Sequence, residues 1–284
     1  MWLANVAQRL ALVSPDGRRY VDVEQASEGQ FSSMPQEIYE RWREFRAFAQ
    51  DVPLDEGRLL AREDLGSPAP RPRQVFAIGL NYRDHASETN SVVPEVPLVF
   101  TKFASSLCGP DVEVEHPGGS LDWEVELVVI VGERAYRIAP EDAWSHVAGV
   151  TVGQDFSERI LQHSGVPPQF SLGKSYPNFG PMGPWLVTPD ELTDPDDLEI
   201  GCRLNGQPVQ KARTSDMIFS VPQLISRLSE VTPLLPGDVI FTGTPAGVGM
   251  GANPPRFLSV ADRVTSYVQG VGEIRNTIVA KATA

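Results

Sequence analysis

Residues 122–131, which read Asp122-Trp-Glu-Val-Glu-Leu-Val-Val-Ile-Val131, contain the pattern that decides the fold. The run is rich in β-branched side chains, which predicts a strand. Because successive side chains of a strand point to opposite faces, Glu124 and Glu126 share one face, with their Cα atoms about 7 Å apart. Residues 127–131 are all apolar. The two like charges therefore need compensation if this strand is to fold.

A hard divalent cation would supply that compensation, because Mg²⁺ and Mn²⁺ prefer oxygen ligands. A third candidate ligand is Asp155 in Gly153-Gln-Asp-Phe-Ser-Glu-Arg159, where it follows a predicted strand. We therefore predict that Glu124, Glu126 and Asp155 bind Mg²⁺ or Mn²⁺, with Ca²⁺ as a further option. The alternatives are a solvated acidic edge for the two glutamates and a helix N-cap for Asp155.

The segment Gly79-Leu-Asn-Tyr-Arg-Asp-His-Ala-Ser-Glu88 carries a candidate acid–base pair. His85 and Glu88 are three residues apart, so on a helical turn the carboxylate reaches the imidazole and fixes its tautomer. The other ring nitrogen is then left to accept a proton from water. The alternative is an ordinary contact at the surface. The segment follows an apolar strand and precedes the proline-bearing residues 94–97, as a loop that closes over a site would.

Three further side chains are candidates for binding an anionic substrate. Arg159, one turn into a predicted helix that starts near Asp155, can bind a carboxylate with its guanidinium. Lys174 is an isolated lysine in a glycine- and aromatic-bearing loop, where it either stabilises negative charge on an oxygen or is simply solvated. Thr244 belongs to the glycine-rich residues 241–251. No helix follows these glycines, so we interpret them as a backbone-lined anion pocket and not as a nucleotide-binding loop.

The composition is that of a globular protein, with 41% hydrophobic and 21% charged residues. The net charge of −13 repels nucleic acid and anionic membranes. Cys108 and Cys202 are too few for a disulfide framework, and neither a signal peptide nor a membrane span is readable. We therefore expect a cytoplasmic protein without nucleic-acid or membrane partners. The remaining histidines, His116, His146 and His163, are assigned to structural or surface roles.

The first 70 residues have an organisation of their own. The turn Pro15-Asp16-Gly17 within residues 9–24 predicts a hairpin, and apolar residues three or four apart in residues 36–50 predict an amphipathic helix. Three prolines in residues 66–73 mark a linker. We place a boundary near residue 70, between a small N-terminal domain, residues 1–70, and a main body, residues 71–284.

The main body is predicted to be rich in strands, most of which are connected by loops and not by helices. This spacing favours an α+β fold, mainly β, over a doubly wound parallel sheet. The predicted strands are residues 75–79, 98–102, 123–131, 148–153, 185–187, 199–204 and 239–242. The predicted helices are residues 139–146, 157–162 and 220–229.

The segments GLNYRDHASE, DWEVEL, GQDFSER, LGKSY and PGDVIFTGTPAGVG, in this order, resemble the fumarylacetoacetate hydrolase superfamily over about residues 72–280. The resemblance is to its bacterial acylpyruvate hydrolases and 2-hydroxyhepta-2,4-diene-1,7-dioate isomerases. It implies a mixed β-sandwich roll, usually dimeric, that binds one Mg²⁺ or Mn²⁺ through Glu124, Glu126 and Asp155. It also implies that His85 and Glu88 lie on a mobile lid and activate water.

The same resemblance assigns further residues to the substrate. Lys174 is expected to stabilise an oxyanion, and the residues expected to bind the oxo-acid substrate are Tyr82, Arg159, Gln162 and Thr244. The chain departs from the usual family pattern at Gln154, where asparagine is common, and at Lys102-Phe103, which replaces Lys-Pro. These departures remove neither a metal ligand nor the acid–base pair.

The reaction that we favour is hydrolysis of a carbon–carbon bond in a 2,4-dioxo acid such as an acylpyruvate, with release of pyruvate or a related oxo acid. Oxaloacetate decarboxylation and enol or double-bond isomerisation are alternatives on the same site, because all of them pass through an enolate. The pair of His85 and Glu88 favours hydrolysis, since decarboxylation needs no activated water. A non-catalytic, metal-stabilised binding protein and a glycosidase with paired carboxylates are alternatives from other classes. The expected partners are a small oxo-acid substrate and a second copy of the chain in a homodimer.

Overall fold

The strand predicted around Val125 lies inside the largest sheet of the protein. The computed structural model describes residues 1–282. In it, Val125–Val131 is buried along its whole length and pairs antiparallel with Val147–Gln154 on one side and Val239–Phe241 on the other. The structure contains mixed sheets with short helices between them. The predicted fold class, α+β and mainly β, is confirmed.

The main sheet has twelve strands. In spatial order, ten of them are Arg58–Leu59, Arg19–Asp22, Arg9–Val13, Trp2–Val6, Gly180–Val187, Val147–Gln154, Val125–Val131, Val239–Phe241, Val75–Gly79 and Leu98–Thr101. The other two, Leu65–Gly66 and Leu107–Cys108, pair with Trp2–Val6 and Gly180–Val187.

A second sheet of five strands packs against the main sheet. Its strands, in spatial order, are Gln207–Arg213, Glu199–Leu204, Arg263–Val268, Gly272–Val279 and Glu113–Glu115. A separate two-stranded ladder joins Leu121–Asp122 to Ser157–Glu158. The α-helices are Val23–Ala26, Trp42–Ala49, Arg83–Glu88, Arg159–Gln162, Phe170–Gly173 and Val221–Val231. The 3₁₀ helices are Glu37–Arg41, Arg62–Asp64, Ala104–Ser106, Pro140–His146, Pro189–Glu191, Thr214–Asp216 and Gly249–Gly251.

The side chains of Val125–Val131 alternate between two hydrophobic clusters. Val129 belongs to the cluster between the two sheets, which includes Ile200 of the second sheet. Its neighbour Ile130 belongs to the other cluster, together with Trp42 of the N-terminal part. The predicted two-residue period is therefore confirmed, and the face that carries Glu126 is also the face of Ile130.

The N-terminal part contains the predicted hairpin and helix. Arg9–Val13 pairs antiparallel with Arg19–Asp22, and the helical segment consists of a 3₁₀ turn followed by Trp42–Ala49. Strand Trp2–Val6 joins these elements to the main sheet, because Trp2 pairs with Val187. The sheet is thus continuous across residue 70. The division into two domains at that residue stays a prediction.

The helix predicted at residues 157–162 begins later than expected. Ser157–Glu158 forms a ladder with Leu121–Asp122, and the helix starts only at Arg159. Its N-cap is Glu158, whose side chain accepts hydrogen bonds from two backbone N–H groups of the first turn, over 3.2 and 2.8 Å. The interpretation of Asp155 as a possible N-cap, and of Arg159 as following it on one helix, was therefore wrong.

Four strands of the second sheet were not predicted. Gln207–Arg213 reads QPVQKAR, and five of its seven residues are polar or proline. Such a strand at the edge of a sheet lacks the apolar alternation that reveals a strand in the sequence. The other three strands that were not predicted are Glu113–Glu115, Arg263–Val268 and Gly272–Val279.

Two further features bear on what the chain can do. Within residues 1–282, no helix combines the length and the apolar character needed to cross a membrane. Cys108 and Cys202 are unpaired, and burial raises the pKa of both thiols to about 12. Both are therefore held in the protonated form, which is the unreactive one.

Candidate active site

Three carboxylates converge where two central strands of the main sheet end side by side. Glu124 and Glu126 lie at the start of Val125–Val131, and Asp155 directly follows Val147–Gln154. These strands are paired neighbours, and the backbone N–H of Asp155 donates to the backbone oxygen of Glu124 over 2.9 Å. One carboxylate oxygen from each of the three residues lies within 4.8 Å of the others. All three side chains are buried, which rules out a solvated acidic edge.

The electrostatics of these carboxylates differ. Burial, together with the negative charges of Asp155 and Glu124, raises the pKa of Glu126 well above its ordinary value. Burial acts in the same direction on Glu124, but the cations of Lys174 and Arg159 outweigh it and lower the pKa of Glu124 to about 2. Among the residues that the structure describes, Glu126 forms no ion pair. It is the member of the triad whose charge is least compensated.

Two buried lysines lie against the triad. Lys174 Nζ is 2.5 Å from Glu124 Oε2 and 2.6 Å from Asp155 Oδ2. Burial opposes the charge of Lys174, but the two carboxylates outweigh that effect and hold its pKa above the ordinary value. Lys102 Nζ is 2.6 Å from Asp155 Oδ1. Lys102 was noted in the sequence only as part of a departure from the family pattern, since a lysine does not itself predict burial.

A third cation, Arg159, joins the triad to a further carboxylate. Its Nη1 is 2.7 Å from Glu124 Oε1, and its Nη2 is 2.8 Å from Asp122 Oδ2. Lys102 and Lys174 complete the set of cations, so three of them face four buried carboxylates within residues 1–282. This buried cluster therefore keeps one negative charge in excess when all its groups are ionised.

The donor set suits a hard divalent ion. Three carboxylates offer oxygen ligands of the type that Mg²⁺, Mn²⁺ and Ca²⁺ prefer, without the nitrogen or sulfur ligands typical of zinc. The excess negative charge of the cluster and the uncompensated Glu126 both favour binding of a cation. Glu124, Glu126 and Asp155 are therefore able to hold such an ion.

The predicted pair of His85 and Glu88 is formed on the short helix Arg83–Glu88. His85 Nδ1 lies 2.8 Å from Glu88 Oε1, and the histidine is only 5% exposed. The second carboxylate oxygen of Glu88 accepts a hydrogen bond from the backbone N–H of Gly247 over 2.9 Å. The carboxylate of Glu88 is thus fixed by His85 and by Gly247. The Nε2 atom of His85 takes no part in the contact with Glu88. The catalytic role of the pair stays a prediction.

The glycine-rich loop, residues 241–251, binds the carboxylates of the protein itself. The backbone N–H groups of Gly243, Gly247 and Gly249 donate to Glu126, Glu88 and Asp122 over 2.7, 2.9 and 2.7 Å. The interpretation as a pocket for a foreign anion therefore needs correction, because these amides are already used. Gly247 has a φ of +104°, and a Cβ atom there would lie 2.0 Å from a backbone oxygen, so only glycine fits.

Two glutamine side chains hold the beginning of the strand Val125–Val131. Gln154 Oε1 accepts a hydrogen bond from the backbone N–H of Glu124, and Gln210 Oε1 accepts one from Val125. Gln210 Nε2 also donates to the hydroxyl of Thr244 over 2.8 Å. These amides satisfy buried backbone donors at the strand end, which fixes the direction of both glutamates. Sequence analysis noted Gln154 as a departure and missed Gln210.

One cavity of about 70 Å³ brings six predicted residues together. They are His85, Glu124, Arg159, Gln162, Lys174 and Thr244. Tyr82 does not line this cavity, and its buried hydroxyl has no hydrogen-bond partner in the described part of the chain. Its assignment to the substrate stays a prediction. His163 is exposed, as expected of a surface histidine, and it also lines the cavity, which no local motif in the sequence had indicated.

Comparison with known proteins gives one family. The family described as fumarylacetoacetate (FAA) hydrolase C-terminal matches residues 74–279. Human oxaloacetate tautomerase FAHD2A, mitochondrial, is 43% identical over 238 residues, which are 82% of this chain and 74% of the human protein. These matches confirm the resemblance that the sequence motifs indicated.

Two solved structures show the same relationship. A candidate HpcE protein from Mycobacterium smegmatis is 52% identical, with a TM-score of 0.95 over 99% of this chain and 100% of that one. Fumarylpyruvate hydrolase from Pseudomonas aeruginosa, in complex with Mn²⁺ and pyruvate, is 30% identical, with a TM-score of 0.68 over 74% of this chain and 91% of that one. This chain belongs to the fumarylacetoacetate hydrolase family.

Proposed function

We propose that this chain hydrolyses the carbon–carbon bond of a short 2,4-dioxo acid, an acylpyruvate, and releases pyruvate. The observation that carries the proposal is that an oriented histidine and a carboxylate of the triad line the same cavity. His85 is held by Glu88 at one part of the wall, and Glu124 reaches another part. A candidate proton acceptor and a candidate metal ligand therefore face the same cavity.

The oxo-acid end of the substrate is assigned to Arg159 and Gln162. Both line the cavity, and Arg159 Nη1 donates to Gln162 Oε1 over 2.9 Å, so the two side chains hold each other in place. A guanidinium and an amide offer N–H donors to a carboxylate and to a 2-oxo group. A divalent ion at Glu124, Glu126 and Asp155 would supply Lewis-acid stabilisation of the negative charge that develops on the substrate.

In the proposed reaction, His85 accepts a proton from water at Nε2, while Glu88 stabilises the imidazolium through Nδ1. The resulting hydroxide adds to the distal carbonyl carbon, C4. The bond between C3 and C4 then breaks, and its electron pair moves to C3 to give the enolate of pyruvate. The proton held by His85 goes to C3, which completes pyruvate, and the distal part leaves as a carboxylic acid.

In this proposal, the ammonium group of Lys174 stabilises the oxyanion that forms when hydroxide adds to the distal carbonyl. It lines the cavity, and its raised pKa keeps it protonated at neutral pH. A buried ammonium stabilises an oxyanion strongly, because little water competes with it.

Keto–enol tautomerisation of oxaloacetate is a second candidate, favoured by the 43% identity with the human oxaloacetate tautomerase. His85 would serve as the base in this reaction too, because tautomerisation moves a proton between C3 and an oxygen of the substrate. The Pseudomonas aeruginosa relative, a fumarylpyruvate hydrolase with bound Mn²⁺ and pyruvate, supports hydrolysis as the first candidate.

The test follows pyruvate release from acetylpyruvate and the decay of oxaloacetate enol, each with Mg²⁺ or Mn²⁺ added. Hydrolysis predicts pyruvate release that chelation with EDTA abolishes and that His85→Gln lowers about 100-fold or more. His116→Gln, outside the cavity, is the control and retains the rate. Enol decay without pyruvate release would assign the chain to tautomerisation. Metal binding with no turnover of either compound would assign it to a non-catalytic role.

The preferred ion, the homodimer and the cytoplasmic location also stay proposals. Mg²⁺ and Mn²⁺ are the ions that we expect, with Ca²⁺ as the further option, because all three accept carboxylate ligands. Light scattering of the purified chain measures whether it is a dimer.

A further inference from the structure

One part of the cavity wall is aromatic. Lys174 Nζ lies 5.2 Å from the centroid of the Phe100 ring, and the Phe100 and Phe170 rings are 5.7 Å apart. Phe170 in turn meets His163, with 5.8 Å between ring centroids. All four side chains line the cavity. We call Phe100, Phe170 and His163 the aromatic wall. Phe100 contacts Lys174, Phe170 contacts Phe100, and His163 contacts Phe170.

The cations that line the cavity are already bonded to carboxylates of the protein. Arg159 Nη1 and Lys174 Nζ lie 2.7 and 2.5 Å from the two oxygens of Glu124. Within the described chain, no other lysine or arginine lines this cavity. Arg159 is assigned to the oxo-acid end and Lys174 to the oxyanion, so no further cation is available for a second charge on the substrate.

His163 is uncharged at neutral pH, so it adds no cation to the aromatic wall. His163 keeps part of its surface in contact with solvent, but its partial burial and the positive charges of Arg159 and Lys174 lower its pKa below the ordinary value of 6.5. Phe100 and Phe170 carry no charge at all. Phe100 and Phe170 are half-buried, so a carboxylate held against their rings would lose part of its water without gaining a partner, which costs free energy.

We propose that the aromatic wall selects 2,4-dioxo acids with a short, uncharged distal group, so that monocarboxylate acylpyruvates are preferred to dicarboxylates. This inference rests on the proposed hydrolase function. The cavity of about 70 Å³ favours a short group, and the rings of Phe100 and Phe170 favour an apolar one. Fumarylpyruvate, whose distal end is a carboxylate, would place that charge against the wall.

The first experiment compares pyruvate release from acetylpyruvate and from fumarylpyruvate, using the full chain with Mn²⁺ at neutral pH. We expect kcat/KM to favour acetylpyruvate by about 10-fold or more, from the cost of an unpaired charge. Equal values, or a preference for fumarylpyruvate, would overturn the inference while leaving the hydrolase proposal intact. If neither compound is cleaved, both proposals fail.

The second experiment adds a cation to the wall. Phe170→Arg is expected to reduce the preference for acetylpyruvate at least tenfold, because the guanidinium supplies a partner for the second carboxylate. Leu172→Arg is the matched control, because Leu172 lies on the same short helix, is 62% exposed and does not line the cavity. The control should keep the wild-type preference.

Equal changes in the two arginine variants would show a general effect of charge and would overturn the inference. If Phe170→Arg fails to fold, Phe170→Leu replaces it. This variant keeps the wall uncharged but widens it, so larger uncharged acylpyruvates should gain in kcat/KM while fumarylpyruvate does not. A gain for fumarylpyruvate alone would again overturn the selection of uncharged groups.

Discussion

Lys102 Nζ donates a hydrogen bond to Asp155 Oδ1 over 2.6 Å, and both side chains are fully enclosed by protein. The same ammonium also donates to the backbone oxygen of Lys174, so it ties the loop of that lysine to the triad. Burial lowers the pKa of Lys102, and the neighbouring Asp155 acts against this by favouring the charged form. The pair therefore depends on both partners. Removing Asp155 would leave Lys102 as a buried charge without an ion pair, and removing Lys102 would leave Asp155 with one of its two buried cations, Lys174.

We expect Lys102→Met to lower the free energy of unfolding of the metal-free protein by about 3–5 kcal/mol, because Asp155 loses one of its two buried cations and the excess negative charge of the cluster grows. Methionine keeps most of the volume and removes the ammonium group with its hydrogen bonds to Asp155 and to the backbone oxygen of Lys174. Urea denaturation monitored by tryptophan fluorescence gives the value. Lys211→Met is the control, since Lys211 is exposed and 3.2 Å from Glu199, and it should cost about 0–1 kcal/mol. Equal losses in the two variants would contradict a special role for Lys102.

The second prediction concerns ion binding at the triad. Mg²⁺ or Mn²⁺ should raise the Tm of the wild-type protein, with a stabilisation of about 2.7 kcal/mol at a hundredfold excess over Kd. Glu126→Gln should lose most of this gain, because it removes one ligand and the excess charge. Without added ions the variant should be more stable than the wild type, since a buried carboxylate without an ion pair is gone. Differential scanning fluorimetry with and without EDTA measures both effects.

Glu133→Gln is the control for this prediction. Glu133 lies at the surface, paired with Arg43, away from the triad. Its variant should show the wild-type increase in Tm on addition of the ion. A full increase in Glu126→Gln as well would mean that the ion binds elsewhere.

The third prediction tests how Glu88 is held. A Cβ atom on Gly251 would lie 2.7 Å from the carboxylate of Glu88, so Gly251→Ala must push that side chain aside. We expect pyruvate release to fall about 10- to 100-fold, because His85 loses its oriented partner. The Tm should stay close to that of the wild type, since the displaced group is the end of a flexible side chain. Wild-type activity in this variant would show that the position of Glu88 is not critical.

The metal triad could be predicted from the sequence because it depends on local pattern. Glu124 and Glu126 share a face through the period of a strand, and Asp155 follows the next strand, which pairs with the first. The contact of His85 with Glu88 likewise follows from the spacing of a helical turn. For these residues, the geometry of a single strand or helical turn and the pairing of neighbouring strands were sufficient to predict the contacts.

The remaining parts of the site depend on contacts between distant segments. Lys102 lies 53 residues from Asp155 in the sequence, and a lysine at the end of a predicted strand gives no sign of burial. Glu158 became a helix N-cap in place of Asp155 because a ladder with Leu121–Asp122 delays the start of the helix. No pattern within either segment reveals that pairing.

The fourth prediction tests how the N-terminal residues support the main sheet. Trp42 is 3% exposed and belongs to the same hydrophobic cluster as Val128 and Ile130 of the central strand. Trp42→Ala should lower the free energy of unfolding by about 3–5 kcal/mol, because the cavity left behind adds to the lost burial. Trp144→Ala, at a partly exposed tryptophan of a 3₁₀ helix, should cost clearly less.

The same packing predicts the behaviour of a fragment that starts at residue 71. Such a fragment would expose the face of the main sheet that Trp42 and its neighbours cover, so it should aggregate or remain unfolded. Circular dichroism and size-exclusion chromatography of the purified fragment report the outcome. A folded monomer would instead support two independent domains.

The last prediction concerns the effect of His163 on how the stability of the protein depends on pH. Its pKa in the folded protein is lowered, chiefly by burial, so below its ordinary value of 6.5 the unfolded chain takes up the proton first. The contribution of His163 to stability is therefore lost as the pH falls from 6.5 towards the folded-state pKa. His163→Gln has no such proton, so its stability relative to the wild type should improve as the pH is lowered. Urea unfolding of both proteins from about pH 8 to about pH 5 measures this difference.

Protonation of His163 should also change how the aromatic wall selects substrates. The imidazolium would offer a partner to a distal carboxylate, so the wild-type preference for acetylpyruvate over fumarylpyruvate should weaken towards acid pH. In His163→Gln the preference should stay constant over the same range, because the wall cannot become charged. The ratio of the two kcat/KM values cancels the pH dependence that both reactions share. A parallel pH trend of this ratio in the two proteins would therefore exclude His163 as its source.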